Sequence, residues 1–83
     1  MKSIVFDRHA KRRMKDRSVS REEVLTTLET PAMIEHSDKG RNNAFKFLNQ
    51  RHLRVTYKDE PDYLLIITVT TRIKPFKEQE NEN

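Results

Sequence analysis

The apolar positions of this chain change period once. Between His9 and Arg17 the only apolar residues are Ala10 and Met14, four apart. That spacing puts both on one narrow stripe of a helix. Asp7 is placed to cap its start, and the helix runs to about Asp16 or Arg17. The next start signal is stronger. Ser20-Arg21-Glu22-Glu23 is a capping box, with Val19 and Val24 at the two positions of a hydrophobic staple. Val24, Leu25 and Leu28 give this second helix its apolar face, and Thr30-Pro31 stops it. From there the period falls to two. Strands are expected over residues 32–36, 44–48, 53–58 and 63–71, with residues 49–52 a hairpin-length connection. Ile4, Val5 and Phe6 read as a short extended piece or a lead-in to the first helix.

This order predicts an α+β domain in which two N-terminal helices pack on a four-stranded antiparallel sheet. Leu53, Val55 and Tyr57 alternate with Arg54, Thr56 and Lys58, so the first set faces inward. Phe45 and Phe47 are assigned to the same covered face, with Lys46 left on the other. The last strand is apolar on both sides and should be central in the sheet or covered on both faces. One domain over residues 1–74 is expected, followed by a polar, frayed tail over 75–83.

Composition narrows the function classes. With 83 residues, 34% hydrophobic and 36% charged, the core must be small and the surface heavily charged. The absence of cysteine excludes disulfides and thiolate metal sites. Three dispersed histidines form no zinc signature, and a single glycine leaves no phosphate-loop or dinucleotide motif. Neither a metal nor a cofactor is expected. The longest apolar run, Leu64 to Ile67, is too short to span a bilayer, and residues 1–6 lack the apolar segment of a secretion signal. A soluble cytoplasmic protein without a membrane partner is therefore expected. The net charge of +4 is unevenly spread: residues 1–58 hold 14 Lys/Arg against 7 Asp/Glu, residues 59–83 only 3 against 6. Concentrated basicity points to a polyanionic partner.

The motif His-Ala-x-x-Arg-Met-x-x-Arg (His9, Ala10, Arg13, Met14, Arg17), followed by Ser-x-x-Glu-Val (Ser20, Glu23, Val24), resembles the small prokaryotic and phage-associated proteins of domain of unknown function 4258. The likeness continues through Leu28-Glu29-Thr30-Pro31, Gly40, Leu53-Arg54-Val55-Thr56-Tyr57 and Ile67-Thr68-Val69. It covers roughly residues 4–71. This chain departs from the family pattern at Ser18, where glycine commonly follows the last arginine. That family looks like a distant relative of RelE/ParE-type toxins. The resemblance implies a RelE/ParE-like fold with a basic cleft between first helix and sheet, RNA cleavage, and an antitoxin partner.

Metal-independent RNA cleavage needs a base for the 2′-hydroxyl, an acid for the leaving oxygen, and cations for the phosphorane. His9, Arg13 and Arg17 fall in one row of the first helix and are the candidate catalytic set. Arg12, Lys46, Arg54, Lys58 and Thr68 are the candidate nucleic-acid contacts, with Thr70 an alternative to Thr68. Each also has a plain structural reading: a helix histidine bonded locally, or a solvated cationic face. Tyr57 and Phe47 could stack on bases, but their alternation with Leu53 and Val55 assigns them to the core.

Two functions follow. The first is a toxin-like, metal-independent endoribonuclease acting on RNA and restrained by an antitoxin. The second is a non-catalytic basic module that binds nucleic acid or an acidic protein. Cleavage requires the first-helix row and a sheet residue to converge on one phosphate; binding requires only that the charges share a side. A third expectation is that Leu64 to Val69 pairs with another chain, giving a homodimer or an antitoxin clamp.

Overall fold

The computed structural model describes residues 2–76. The chain runs β1 (Ser3–Phe6), α1 (Arg8–Asp16), α2 (Arg21–Glu29), β2 (Met33–His36), β3 (Arg41–Leu48), β4 (Arg51–Asp59) and β5 (Tyr63–Arg72). The fold class is α+β as expected, with two corrections. The sheet has five strands in the order β1-β5-β4-β3-β2, and it is mixed rather than antiparallel. A strand precedes the helices: residues 3–6 pair in parallel with β5, Ser3 beside Tyr63 and Phe6 beside Ile66. Four residues without alternation carry too little signal to announce a strand whose partner lies at the far end of the chain. β5 is interior, between β1 and β4, as its apolar composition implied, and with both edges paired it has none left for the expected pairing with another chain.

Both helix starts form as their sequences direct. The Asp7 carboxylate accepts from the His9 N–H at 2.7 Å. Ser20 and Glu23 exchange their bonds, with Ser20 N–H to Glu23 Oε1 at 2.9 Å and Glu23 N–H to Ser20 Oγ at 3.1 Å. Between the helices lies a Schellman turn. Val19 N–H bonds Met14 O at 2.8 Å and Ser18 N–H bonds Lys15 O at 3.3 Å, with Ser18 at φ 54°. Val19 is buried and Met14 packs against the same core, which supplies the apolar contact of that motif.

The core joins Ala10, Val19 and Val24 from the helical side to Leu53, Val55, Ile66 and Val69 of the sheet. Fully burying each larger aliphatic side chain is worth about 1.5–3 kcal/mol. Register fixes which strand residues share this face. Ala44 opposes Val55 and Lys46 opposes Leu53, whereas Phe45 opposes Arg54 and Phe47 opposes His52. Phe45 and Phe47 therefore lie on the side away from the helices, and Lys46 lies on the helix side, the reverse of the expectation. The two-residue turn Asn49-Gln50, both with φ above 50°, pairs odd positions with even ones. In β5 a bulge opposite Thr56/Tyr57 breaks the alternation, so that Leu64, Ile66 and Val69 all reach the helix side.

The face away from the helices is not bare. Phe76 is 2% exposed, and its ring meets that of Phe45 edge-on at 5.4 Å. Of the expected tail, Pro75 and Phe76 fall within the described residues; residues 77–83 lie outside them. No described helix is long and apolar enough to cross a membrane.

Candidate nucleic-acid interface

The cations of α1 come from its narrow apolar stripe. With Ala10 buried and Met14 half-buried, the rest of the circumference is left to Arg8, His9, Lys11, Arg12, Arg13 and Lys15. Of these only Arg13 is partly covered. Among the described residues the ion pairs are Lys2–Asp59 and Arg51–Glu23, so none of the α1 cations is neutralised by a side-chain carboxylate within 4.0 Å. Three like-charged pairs stand four residues apart: Arg8/Arg12, Lys11/Lys15 and Arg13/Arg17. Each such pair destabilises a helix by about 0.2–0.5 kcal/mol. Asp7, Arg8, His9 and Arg12 line a shallow concavity of about 230 Å³ at the start of the helix.

The expected row of His9, Arg13 and Arg17 is only partly a unit. Arg13 Nε donates to His9 Nε2 at 3.4 Å, a long bond. The Arg17 backbone carbonyl is held by Arg51 Nη1 at 2.7 Å, while Arg51 Nη2 reaches Ser18 O at 2.8 Å and Glu23 at 3.4 Å. Asn49 Nδ2 donates to Glu23 Oε2 at 2.7 Å. This knot ties the β3–β4 turn to the interhelical turn. Burial pushes the Glu23 carboxyl up, but the Ser20 N–H, Asn49 and Arg51 outweigh it and hold the group below its ordinary 4.5.

The candidate nucleic-acid contacts separate into three places. Arg12 is on α1. Lys46 lies at the end of α2, its ammonium donating to Thr30 O at 2.7 Å, where it caps the helix C-terminus. Arg54, Lys58 and Thr68 share the sheet face away from the helices, because Arg54 opposes Phe45 and Thr70, Thr68 opposes Thr56, and Lys58 opposes Arg41. The α1 row and the sheet cations Arg54 and Lys58 thus sit on opposite sides of the sheet. Thr70 is the partner of Arg54, accepting from its Nη2 at 3.4 Å. Tyr57 packs against the core, as expected, and burial, with the Asp59 charge, raises its pKa above 10.0. Phe47 does not: it is 56% exposed.

Arg41, Arg72 and Phe76 went unnoticed in the sequence. Arg72 is in register with His52, itself opposite Phe47, and the Arg54 and Arg72 guanidiniums lie 5.0 and 5.2 Å from the Phe76 ring centre. Cross-strand parity identifies the face of Arg41 and Arg72 once the turn length is known; nothing local announces Phe76. No group of metal-ligating side chains occurs among the described residues.

No curated protein and no solved structure matches the chain. The family model of domain of unknown function 4258 matches residues 6–71, from the end of β1 to the penultimate residue of β5. The match takes in both helices, the interhelical turn and the strands that carry the sheet cations, and the chain belongs to the family of domain of unknown function 4258.

Proposed function

We propose that this protein is a basic nucleic-acid-binding module whose primary electrostatic surface is α1. The observation that supports this reading is the concentration of cations on one short helix without carboxylate partners among the described residues. A helix selected only for stability would intersperse opposite charges four apart. Phosphates bound along it would relieve the repulsion and release counterions. Titration of a labelled RNA at moderate salt tests the reading. Replacing Arg8, Arg12 and Lys15 together by Gln should weaken binding at least tenfold. Unchanged affinity removes α1 from the interface, and binding of acidic peptides but not RNA points to a protein partner instead.

A toxin-like endoribonuclease restrained by an antitoxin is the second reading, favoured by the contact between His9 and Arg13 beside the Asp7–Arg12 concavity. In it His9 exchanges the proton, and Arg12 and Arg13 hold the phosphate, all from one helix. With Arg54 and Lys58 across the sheet, cleavage must draw all its groups from α1, a stricter demand than binding makes. His9→Ala should then abolish RNA cleavage and any growth arrest on expression while leaving binding within about twofold. Intact RNA after incubation with saturating wild-type protein sinks this reading.

A further inference from the structure

The sheet face away from the helices carries features that a merely solvated surface does not require. Phe47 stands in register with His52 and, through it, with Arg72, so an aromatic ring, an imidazole and a guanidinium form one row across three strands. The rings of Phe47 and His52 are 4.7 Å apart and tilted by 59°. The Phe47 ring is nonetheless 56% exposed, the largest exposed apolar side chain on this face. Beside the row, the Phe76 ring lies against both the Arg54 and the Arg72 guanidiniums. The ring gives both cations a contact on the sheet, Arg54 half-buried and Arg72 exposed.

Two polar atoms here, Arg54 Nε and His52 Nδ1, are covered by protein yet have no hydrogen-bond partner among the described residues. The hydrogen bond of Arg54 to Thr70, at 3.4 Å, is at the long limit. The charge is one-sided as well. Arg41 and Lys58 oppose each other toward one end of the face, Arg54 and Arg72 toward the other. The one carboxylate among its strand positions, Glu35, accepts from Asn43 at 3.1 Å.

We propose that this face binds single-stranded nucleic acid, stacking an unpaired base on Phe47 while Arg72 and Arg54 take the adjoining phosphate. The proposal rests on the nucleic-acid reading of the protein and adds to it a second, strand-selective site. An exposed ring accepts any base by its π-face, and guanidiniums fit phosphate oxygens in pairs. Phe47 and Arg72 are two strand spacings apart, about 10 Å, so a base on one brings its neighbouring phosphate near the other. A duplex keeps its bases stacked on each other and cannot offer that face.

The test uses the full chain with fluorescein-labelled oligouridylate of ~12 nucleotides, a typical site size, and a mixed-sequence duplex of the same length. Wild type should prefer the single strand. Phe47→Leu should weaken single-strand binding by about fivefold or more and leave duplex binding unchanged, since one stacked base is worth about 1–3 kcal/mol. Arg72→Gln should lower the salt slope on the single strand by about 0.7. A 2-aminopurine placed in the strand should be quenched by wild type and not by Phe47→Leu. Thermal melts check that Phe47→Leu folds as wild type does. Equal affinity for both probes with an inert Phe47→Leu overturns this site and leaves the α1 reading standing. Failure to bind either probe overturns both. A dimer that Phe47→Leu dissociates, with single-strand binding unaffected, assigns the face to self-association and overturns the proposal.

Discussion

Helices α1 and α2 are each nine residues long and follow one another across a tight turn, but they answer to different demands. α2 satisfies its own ends. It has a complete capping box, Glu22 and Glu23 in the first turn, the buried Thr27 hydroxyl bonded to Glu23 O at 2.8 Å, and Lys46 at its C-terminus. α1 has a good cap in Asp7 and suitable cations in its last turn, but its first turn opens with Arg8 and holds no acid beyond that cap. Its like-charged pairs work against the helix throughout. A departure from local stability rules that the rest of the fold tolerates is expected where a surface serves a partner. On the proposed nucleic-acid reading, the contrast assigns binding to α1 and support of the fold to α2.

Reducing the charge of α1 should break this contrast most visibly. Gln at Arg8, Lys11, Arg12 and Lys15 should cost about two orders of magnitude in RNA affinity, and flatten the salt dependence by about 0.7 per cation lost. The same variant should unfold at slightly higher urea, by about 0.5–1 kcal/mol, as two of the three repulsive pairs, Arg8/Arg12 and Lys11/Lys15, lose both charges. A loss of stability there would mean that the cations serve the fold after all.

The opposite experiment is on α2. Glu23→Ala removes half of the capping box and the acceptor of Asn49 and Arg51, and should destabilise by about 2–3 kcal/mol in urea denaturation without altering RNA affinity at saturating fold. Acid should reveal the same group. Because the Glu23 pKa is depressed in the folded state, its contribution is complete above about pH 4.5 and fades as pH falls through the lowered value. Stability curves of wild type and Glu23→Gln should therefore differ most above pH 4.5 and converge toward acid.

Smallest is the effect at the turn that joins them. Ser18 holds φ at 54°, a left-handed conformation that costs a residue with a Cβ about 1 kcal/mol. Ser18→Gly should raise stability by a few tenths to about 1 kcal/mol, the relief being offset in part by glycine's greater freedom when unfolded.

How far the sequence announces these features depends on the range of the interaction. Ser20, Glu23, Val19 and Val24 act within five residues of each other, and the whole cap was legible. So were the strands β3 and β4 and the inward set Leu53, Val55 and Tyr57. The placement of Phe45 and Phe47 was wrong although the information was present: an even-numbered hairpin loop sets Phe45 opposite Arg54, and alternation within each strand does not say this until the strands are paired. The parallel partnership of β1 depends on contacts about sixty residues apart, and the β5 bulge on how β5 pairs with β4, so neither follows from a local period. The candidate site divided along the same line. The α1 row and Arg12 could be read off helical spacing, whereas the row of Phe47, His52 and Arg72 exists only across three strands.

The parallel pairing of β1 with β5 also sets an order of events during synthesis. A helix such as α1 can form within microseconds of leaving the ribosome, but its packing partners Ile66 and Val69, and the strand that anchors β1, are made last. At ordinary elongation rates the first strand and its cationic helix wait several seconds for them. For that interval the most basic part of the chain is attached to the ribosome without its tertiary support, and it becomes a fixed surface only when the C-terminal strand has emerged.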